Sequence, residues 1–231
     1  MTFLAAPANG PLVGARPVPR ADTVAAMGVA KDERLALCAL FDMQGPKAPT
    51  LCAGWTTRDL AAHLVLRERR PDALPGILVG PLAGYTQRVQ DGYAAKPWDA
   101  LVELVRTGPP RLAPTSLGFV DELVNSAEFL VHHEDVRRAR QGWQPRPAQE
   151  DRDKAAWGAV SRIGKLAFRR SPVGVVLGVP GRSEVTAKRG SGQVIVRGEP
   201  VELLLYAFGR DEVELSFEGD KSALDGVSRG L

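Results

Sequence analysis

The feature that most constrains the fold is a change of pattern near Pro145. Before it, apolar residues recur at helical spacing in segments that Gly and Pro interrupt. After it, short apolar runs alternate with polar residues between Gly-rich turns. Four or five helices with short connections are typical of a helical bundle, whereas strands mixed with helices indicate a small α+β unit. We therefore predict an α+β protein with an N-terminal helical bundle and a small α+β C-terminal domain.

The boundaries of the predicted elements follow from caps and breakers. Thr57 is a good N-cap with Asp59 in the first turn, and Gly45-Pro46 and Gly108-Pro109 end helices. In the bundle, helices are predicted over residues 31–44, 57–70, 83–93, 97–107 and 119–140. Beyond it, we predict a helix over 151–170, strands near 173–179, 185–187, 194–196 and 213–217, a helix over 199–208 and a short helix from 219.

Residues 1–26 are rich in Ala, Pro and Gly, and their prolines would interrupt any helix. We predict a disordered extension there, with a bundle domain over residues 27–147 and an α+β domain over 148–231. Met27 precedes the first helical pattern, so both Met1 and Met27 stay open as the translation start.

Composition excludes several classes of function. Hydrophobic residues make up 44% and charged residues 25%, which is typical of a folded, soluble protein. The net charge is only +3, with both signs mixed along the chain, so no nucleic-acid partner is expected. No apolar run reaches the roughly 18 residues of a membrane span, and the start lacks the basic region of a signal peptide. Cys38 and Cys52 form no metal or redox motif, so a reducing cytoplasm is expected.

The histidines carry the main chemical signal. Of the three, His63 lies on the second predicted helix, and His132 and His133 lie on the long one. Glu128 and His132 are four residues apart and so share a helix face. Two histidines and a carboxylate from two helices can hold a divalent metal in a bundle core and leave a position open, as in catalytic Zn²⁺ sites. Such spacing also arises by chance in charged helices, and other first-row ions accept the same donors.

Neighbouring polar residues are candidates for support. Asp59, Asp135 and Asn125 share faces with the proposed ligands and could orient one of them. His133 points about 100° away from His132 around the helix, so it is the weaker candidate ligand.

Two further residues, Arg67 and Cys52, have two readings each. Arg67 is the weak candidate for a catalytic residue: it could bind a substrate carboxylate beside the metal, but pairing with Glu68, Asp72 or another surface acid is the commoner role. Cys52 could be a reactive thiolate, although a small core residue is the commoner case. Trp55 is expected to pack the start of the second helix into the core.

Residues 51–64, LCAGWTTRDLAAHL, resemble the W-[ST]-x-x-D-[LV]-x-x-H-[LV] segment of the DinB-like metal-binding superfamily. The nearest branch is the N-terminal domain of mycothiol-dependent maleylpyruvate isomerase, whose second motif, E-x-x-x-H-x-x-D, resembles residues 128–135, EFLVHHED. The stretch is similar to a subgroup of that family described only as metal-binding proteins. The resemblance covers about residues 27–145, and residues 173–225 resemble the small sterol-carrier-like domain often attached to it.

The resemblance implies a four-helix bundle that binds one divalent ion, most commonly zinc, through His63, Glu128 and His132. It also implies a low-molecular-weight thiol such as mycothiol as cofactor, a small-molecule substrate, and an isomerisation or transfer reaction. The alternative is a metal- or apolar-ligand-binding module without catalysis, which a fourth protein ligand from His133 or Glu134 would favour. The substrate and the oligomeric state stay open.

Overall fold

The computed structural model describes residues 21–109 and 121–229. Its helices are α1 Ala21–Gln44, α2 Thr57–Arg69, α3 Pro75–Leu78, α4 Ala83–Ala94, α5 Trp98–Thr107, α6 Asp121–Arg138, α7 Glu150–Ala167 and α8 Pro200–Ala207. Its strands are β1 Gly174–Gly178, β2 Glu184–Lys188, β3 Gln193–Arg197 and β4 Ser216–Glu218. None of the helices in these two ranges is both long and apolar enough to cross a lipid bilayer.

Local sequence explains where α2 begins. Gly45 ends the turn after α1 with a φ of 75°, which favours glycine, and its N–H donates to the carbonyl of Phe41. After the loop, the carboxylate of Asp59 accepts from both the backbone N–H and the hydroxyl of Thr56, at 2.8 and 2.6 Å. This cap satisfies donors at the first turn of α2 and sets the direction in which the helix leaves the loop.

Two hydrophobic cores meet on α6. Phe129 and Val136 belong to the core that α6 shares with α1, α2 and α5. Leu130 and Val131, on another face of the same helix, belong to the core of the α+β unit. Because α6 is buried against both units, its orientation depends on the packing of each.

The α+β unit has a four-stranded sheet in the order β2-β1-β3-β4. β1 and β3 are parallel, and β2 and β4 pair with them in antiparallel fashion at the two edges. α7 packs against α8 and β2, and α8 follows β3 directly. The segment after α8 then returns towards α6, which brings residues near 210 to the bundle.

The predicted α+β class is confirmed, and most elements lie within a few residues of their predicted bounds. Two differ more. α1 begins at Ala21 rather than at Lys31, so residues 21–26 of the predicted extension are helical, while residues 1–20 lie outside the described residues. The last strand covers Ser216–Glu218 rather than 213–217, because the N–H of Glu214 bonds to Glu202 of α8 instead of to a strand. The domain boundary at 147 stays a prediction.

Candidate metal centre

The structure brings His63, Glu128 and His132 together across α2 and α6. Each offers one ligand atom, and these atoms all lie within 4.8 Å of one another. The Nε2 of His132 is 3.3 Å from the Oε2 of Glu128, and the two imidazole rings have centroids 5.6 Å apart. Atoms bound to one Zn²⁺ at about 2.1 Å are at most roughly 4 Å apart, so small side-chain movements would bring all three onto one ion.

Two of the three groups are in protonation states that suit metal binding. Burial disfavours a charge on His63 and, with the neighbouring His132, lowers its pKa to about 4. Burial opposes the charge of Glu128, but the hydrogen bond with His132 and the positive charge of Arg67 outweigh it and lower the pKa to about 2. At neutral pH the site therefore presents a neutral imidazole and an ionised carboxylate, the forms that bind metal ions.

The third group is oriented by a buried carboxylate. The Nδ1 of His132 lies 2.9 Å from the Oδ2 of Asp135, which is the contact expected of a carboxylate that orients a ligating histidine. Burial opposes a charge on His132, but its hydrogen bonds with Asp135, Cys52 and Glu128 outweigh it and raise the pKa well above the usual range. A metal bound at Nε2 would leave the ring with one proton, on Nδ1. That N–H would donate a hydrogen bond to Asp135, as in carboxylate–histidine–metal sites.

Two residues at this site were not assigned to it by sequence reasoning. Arg210, just after α8, donates to both oxygens of Asp135 at 2.7 and 2.6 Å. The thiol of Cys52 lies 3.2 Å from Asp135 Oδ2, 3.4 Å from Arg210 and 3.9 Å from His132 Nδ1. No local signal marks Arg210, because it is distant in sequence from the motifs.

Cys52, His132 and Asp135 also bring ligand atoms within 4.8 Å of one another. A cation there would have to displace the guanidinium of Arg210 from Asp135. It would also compete for the histidine nitrogen that contacts the carboxylate. The set of His63, Glu128 and His132 is therefore the better candidate for a metal site.

Other candidates are engaged elsewhere. The Nδ1 of His133 lies 2.5 Å from Glu33 on α1, and Glu134 is paired with arginines. Asp59 caps α2 and does not orient His63. Among residues 21–109 and 121–229, neither His133 nor Glu134 belongs to the candidate set of His63, Glu128 and His132.

Arg67 is closer to the site than the commoner reading predicted. Its Nη1 donates to Asn125 at 2.7 Å, and its Nε lies 3.7 Å from Glu128 Oε2. The nearby acids Glu68 and Asp72 bond instead to Arg34 and Arg70. Arg67 thus places a positive charge beside the proposed carboxylate ligand.

Trp55 packs as predicted. It lies against the bundle core, and its ring centroid is 5.1 Å from that of His63, so it covers one side of the proposed ligand.

The sequence matches no protein-family profile and no curated protein. Among solved structures, mycothiol-dependent maleylpyruvate isomerase matches with a TM-score of 0.60 and 14% identity, over 85% of this chain and 92% of that one. A histidine-to-alanine mutant of that enzyme matches with a TM-score of 0.57 and 15% identity over the same shares. At this level of identity the likeness concerns the fold, so the chain has the fold of mycothiol-dependent maleylpyruvate isomerase.

Proposed function

We propose that this protein binds one divalent metal ion, expected to be Zn²⁺, through His63, Glu128 and His132, and acts as a thiol-dependent isomerase or transferase. The observation that carries the proposal is the convergence of three ligand atoms within 4.8 Å on two helices. The thiol is proposed to be mycothiol and the substrate a small molecule, because the matching fold belongs to a mycothiol-dependent isomerase. Membership of the metal-binding subgroup of that family is part of the same proposal.

The donor set suits this chemistry. Two imidazoles and one carboxylate are ligands that Zn²⁺ accepts, and three protein ligands are the number found in catalytic zinc sites. When bound, the ion would lower the pKa of a coordinated thiol and so supply a thiolate at neutral pH. Asp135 holds the Nδ1 side of His132, and Arg67 adds a positive charge that attracts an anionic thiol or substrate.

The alternative is a module that binds metal or an apolar ligand without catalysis. A fourth ligand would favour it, but His133 and Glu134 are paired away from the site. In the α+β unit, a cavity of about 490 Å³ beside α7 is lined by charged residues as well as Trp157, which does not suit a purely apolar ligand.

Two unpaired cysteines agree with the proposed cytoplasmic location.

The first test measures metal content by mass spectrometry on protein purified without a histidine tag. We expect about one equivalent in wild type and loss of the metal in both His63→Ala and His132→Ala, because each variant removes a ligand. His133→Ala is the matched control and should retain the metal. Wild-type protein that holds no stoichiometric metal after reconstitution with Zn²⁺ would contradict the proposal.

The second test concerns the thiol. Calorimetry with mycothiol should show binding to the metal-loaded protein that is lost in His132→Ala. Turnover across a panel of small electrophiles should depend on the thiol. Stoichiometric metal without thiol binding or turnover would favour the non-catalytic module.

A further inference from the structure

Three separate parts of the chain meet at the carboxylate of Asp135, whose side chain is fully buried. Its own helix, α6, supplies His132, and the loop before α2 supplies the thiol of Cys52 and the N–H of Leu51, which donates to the Asp135 carbonyl. The segment after α8 supplies Arg210. The α+β unit therefore reaches the proposed metal centre through one arginine.

Arg210 holds the carboxylate by a two-pronged contact. Its Nε donates to Oδ1 and its Nη2 to Oδ2, while Nη1 donates to the carbonyl of Phe208 at 2.7 Å. Contacts to both carboxylate oxygens fix the plane of the group as well as its position. Asp135 Oδ2 is thereby directed at His132 Nδ1, and Nε2 on the opposite side of the ring is directed at Glu128.

We propose that Arg210 is a positioning residue for the metal centre, which makes the metal affinity of the bundle depend on the docked α+β unit. This inference rests on the proposed function, because it concerns the same metal ligands. Lysine could supply the charge of Arg210 but not its planar fork. Substitution of Arg210 by lysine therefore tests the geometry of the contact separately from its charge.

The expected effect follows from what supporting partners do in metal sites. Loss of a group that orients a ligating histidine typically weakens metal binding by about 10- to 100-fold. We expect Arg210→Met to weaken Zn²⁺ binding in that range, and Arg210→Lys to weaken it less. A role confined to folding would instead lower the stability of the metal-free protein and leave the metal affinity of the folded fraction unchanged.

The experiment measures the Zn²⁺ dissociation constant of the full-length chain by competition with a chromophoric chelator, and the visible absorption of the Co²⁺-substituted protein. The variants are Arg210→Met and Arg210→Lys. Arg197→Met is the matched control, because Arg197 belongs to the same unit and binds two carboxylates, Glu184 and Glu218, away from the metal. Urea unfolding of each metal-free protein reports stability separately.

Weaker Zn²⁺ binding and an altered Co²⁺ spectrum in the Arg210 variants, with both unchanged in Arg197→Met, would support the inference. Wild-type affinity and spectrum in folded Arg210→Met would overturn it and leave the proposed function intact. If Arg210→Met does not fold, the Zn²⁺ affinity and the Co²⁺ spectrum of Arg210→Lys decide the question. This variant keeps a positive charge beside the buried carboxylate of Asp135. A wild-type protein that binds neither ion would overturn the proposed function, and this inference with it.

Discussion

The Nε of Arg67 lies 3.7 Å from the Oε2 of Glu128, so the proposed carboxylate ligand is already the partner of a fixed positive charge. Asn125 holds the same guanidinium from the next turn of α6, at 2.7 Å. A divalent ion bound by Glu128 would share that carboxylate with Arg67. The arginine would therefore oppose a metal there by repulsion, and the same positive charge would attract an anion to the site.

Removing the charge of Arg67 should affect the binding of Zn²⁺ and the binding of an anion in opposite directions. In Arg67→Met, we expect Zn²⁺ to bind as tightly as in wild type or several-fold more tightly, because a repulsive charge is gone. The metal-loaded variant should bind an anionic thiol or carboxylate more weakly. Chelator competition and calorimetry measure the two affinities, with Arg67→Lys as the control that keeps the charge. A large loss of Zn²⁺ affinity in Arg67→Met would show instead that Arg67 is needed to position Glu128.

His133 should matter for stability and not for the metal. It is buried, and its Nδ1 lies 2.5 Å from Glu33 Oε2, so it joins α6 to α1. His133→Ala leaves the buried Glu33 without one partner, although Arg146 still donates to it at 2.8 Å. We expect the free energy of unfolding, measured with urea, to fall by about 1–3 kcal/mol. The Zn²⁺ content should be that of wild type, and its loss would place His133 among the ligands.

The link between the two units should be sensitive to Arg138. Its side chain is fully buried and donates to Glu134 on α6 and to Glu202 on α8. Arg138→Met leaves two buried carboxylates without this partner, and removing one member of a buried pair costs about 3–5 kcal/mol. Urea unfolding checks this value.

Arg106→Met is the control for that measurement. Arg106 pairs with Asp42 and Glu103, whose side chains are 54% and 56% exposed, so its loss should cost at most about 1 kcal/mol. Equal effects in the two variants would contradict the assigned role of Arg138.

Cys38 should make the native state less stable at alkaline pH. Burial raises the pKa of its thiol from 9.0 to about 11, with nearby arginines opposing the shift only in part. Between these values the unfolded chain has released a proton that the native state keeps, so the free energy of unfolding falls as pH rises.

The comparison that isolates this effect is the Cys52→Ser protein with and without Cys38→Ala. Between pH 8 and pH 10, the free energy of unfolding of the Cys52→Ser protein should fall by about 1 kcal/mol more than that of the protein that also carries Cys38→Ala. Urea unfolding of metal-free protein from pH 8 to pH 10 measures the difference. A difference that does not change with pH would show that the thiol is not protected in the native state.

The helices were predictable because their signals are local. Breakers such as Gly45-Pro46 and the spacing of apolar residues each act over a few positions, although the N-cap of α2 is Thr56 and not the predicted Thr57. The shared face of Glu128 and His132 follows from the same helical geometry. The start of α1 at Ala21 was missed, because Ala-rich sequence beside prolines resembles an extension.

By itself, the sequence determined the class of fold, the helices that carry the histidines and, through its motifs, His63, Glu128 and His132 as the set to test. Only the tertiary structure decided which polar side chains support that set. It turned His133 towards Glu33, placed Arg67 beside Glu128, and brought Arg210 to Asp135 from the other unit. The physical reason is range: helical periodicity is set by neighbouring residues, whereas these contacts depend on how two cores pack on opposite faces of α6.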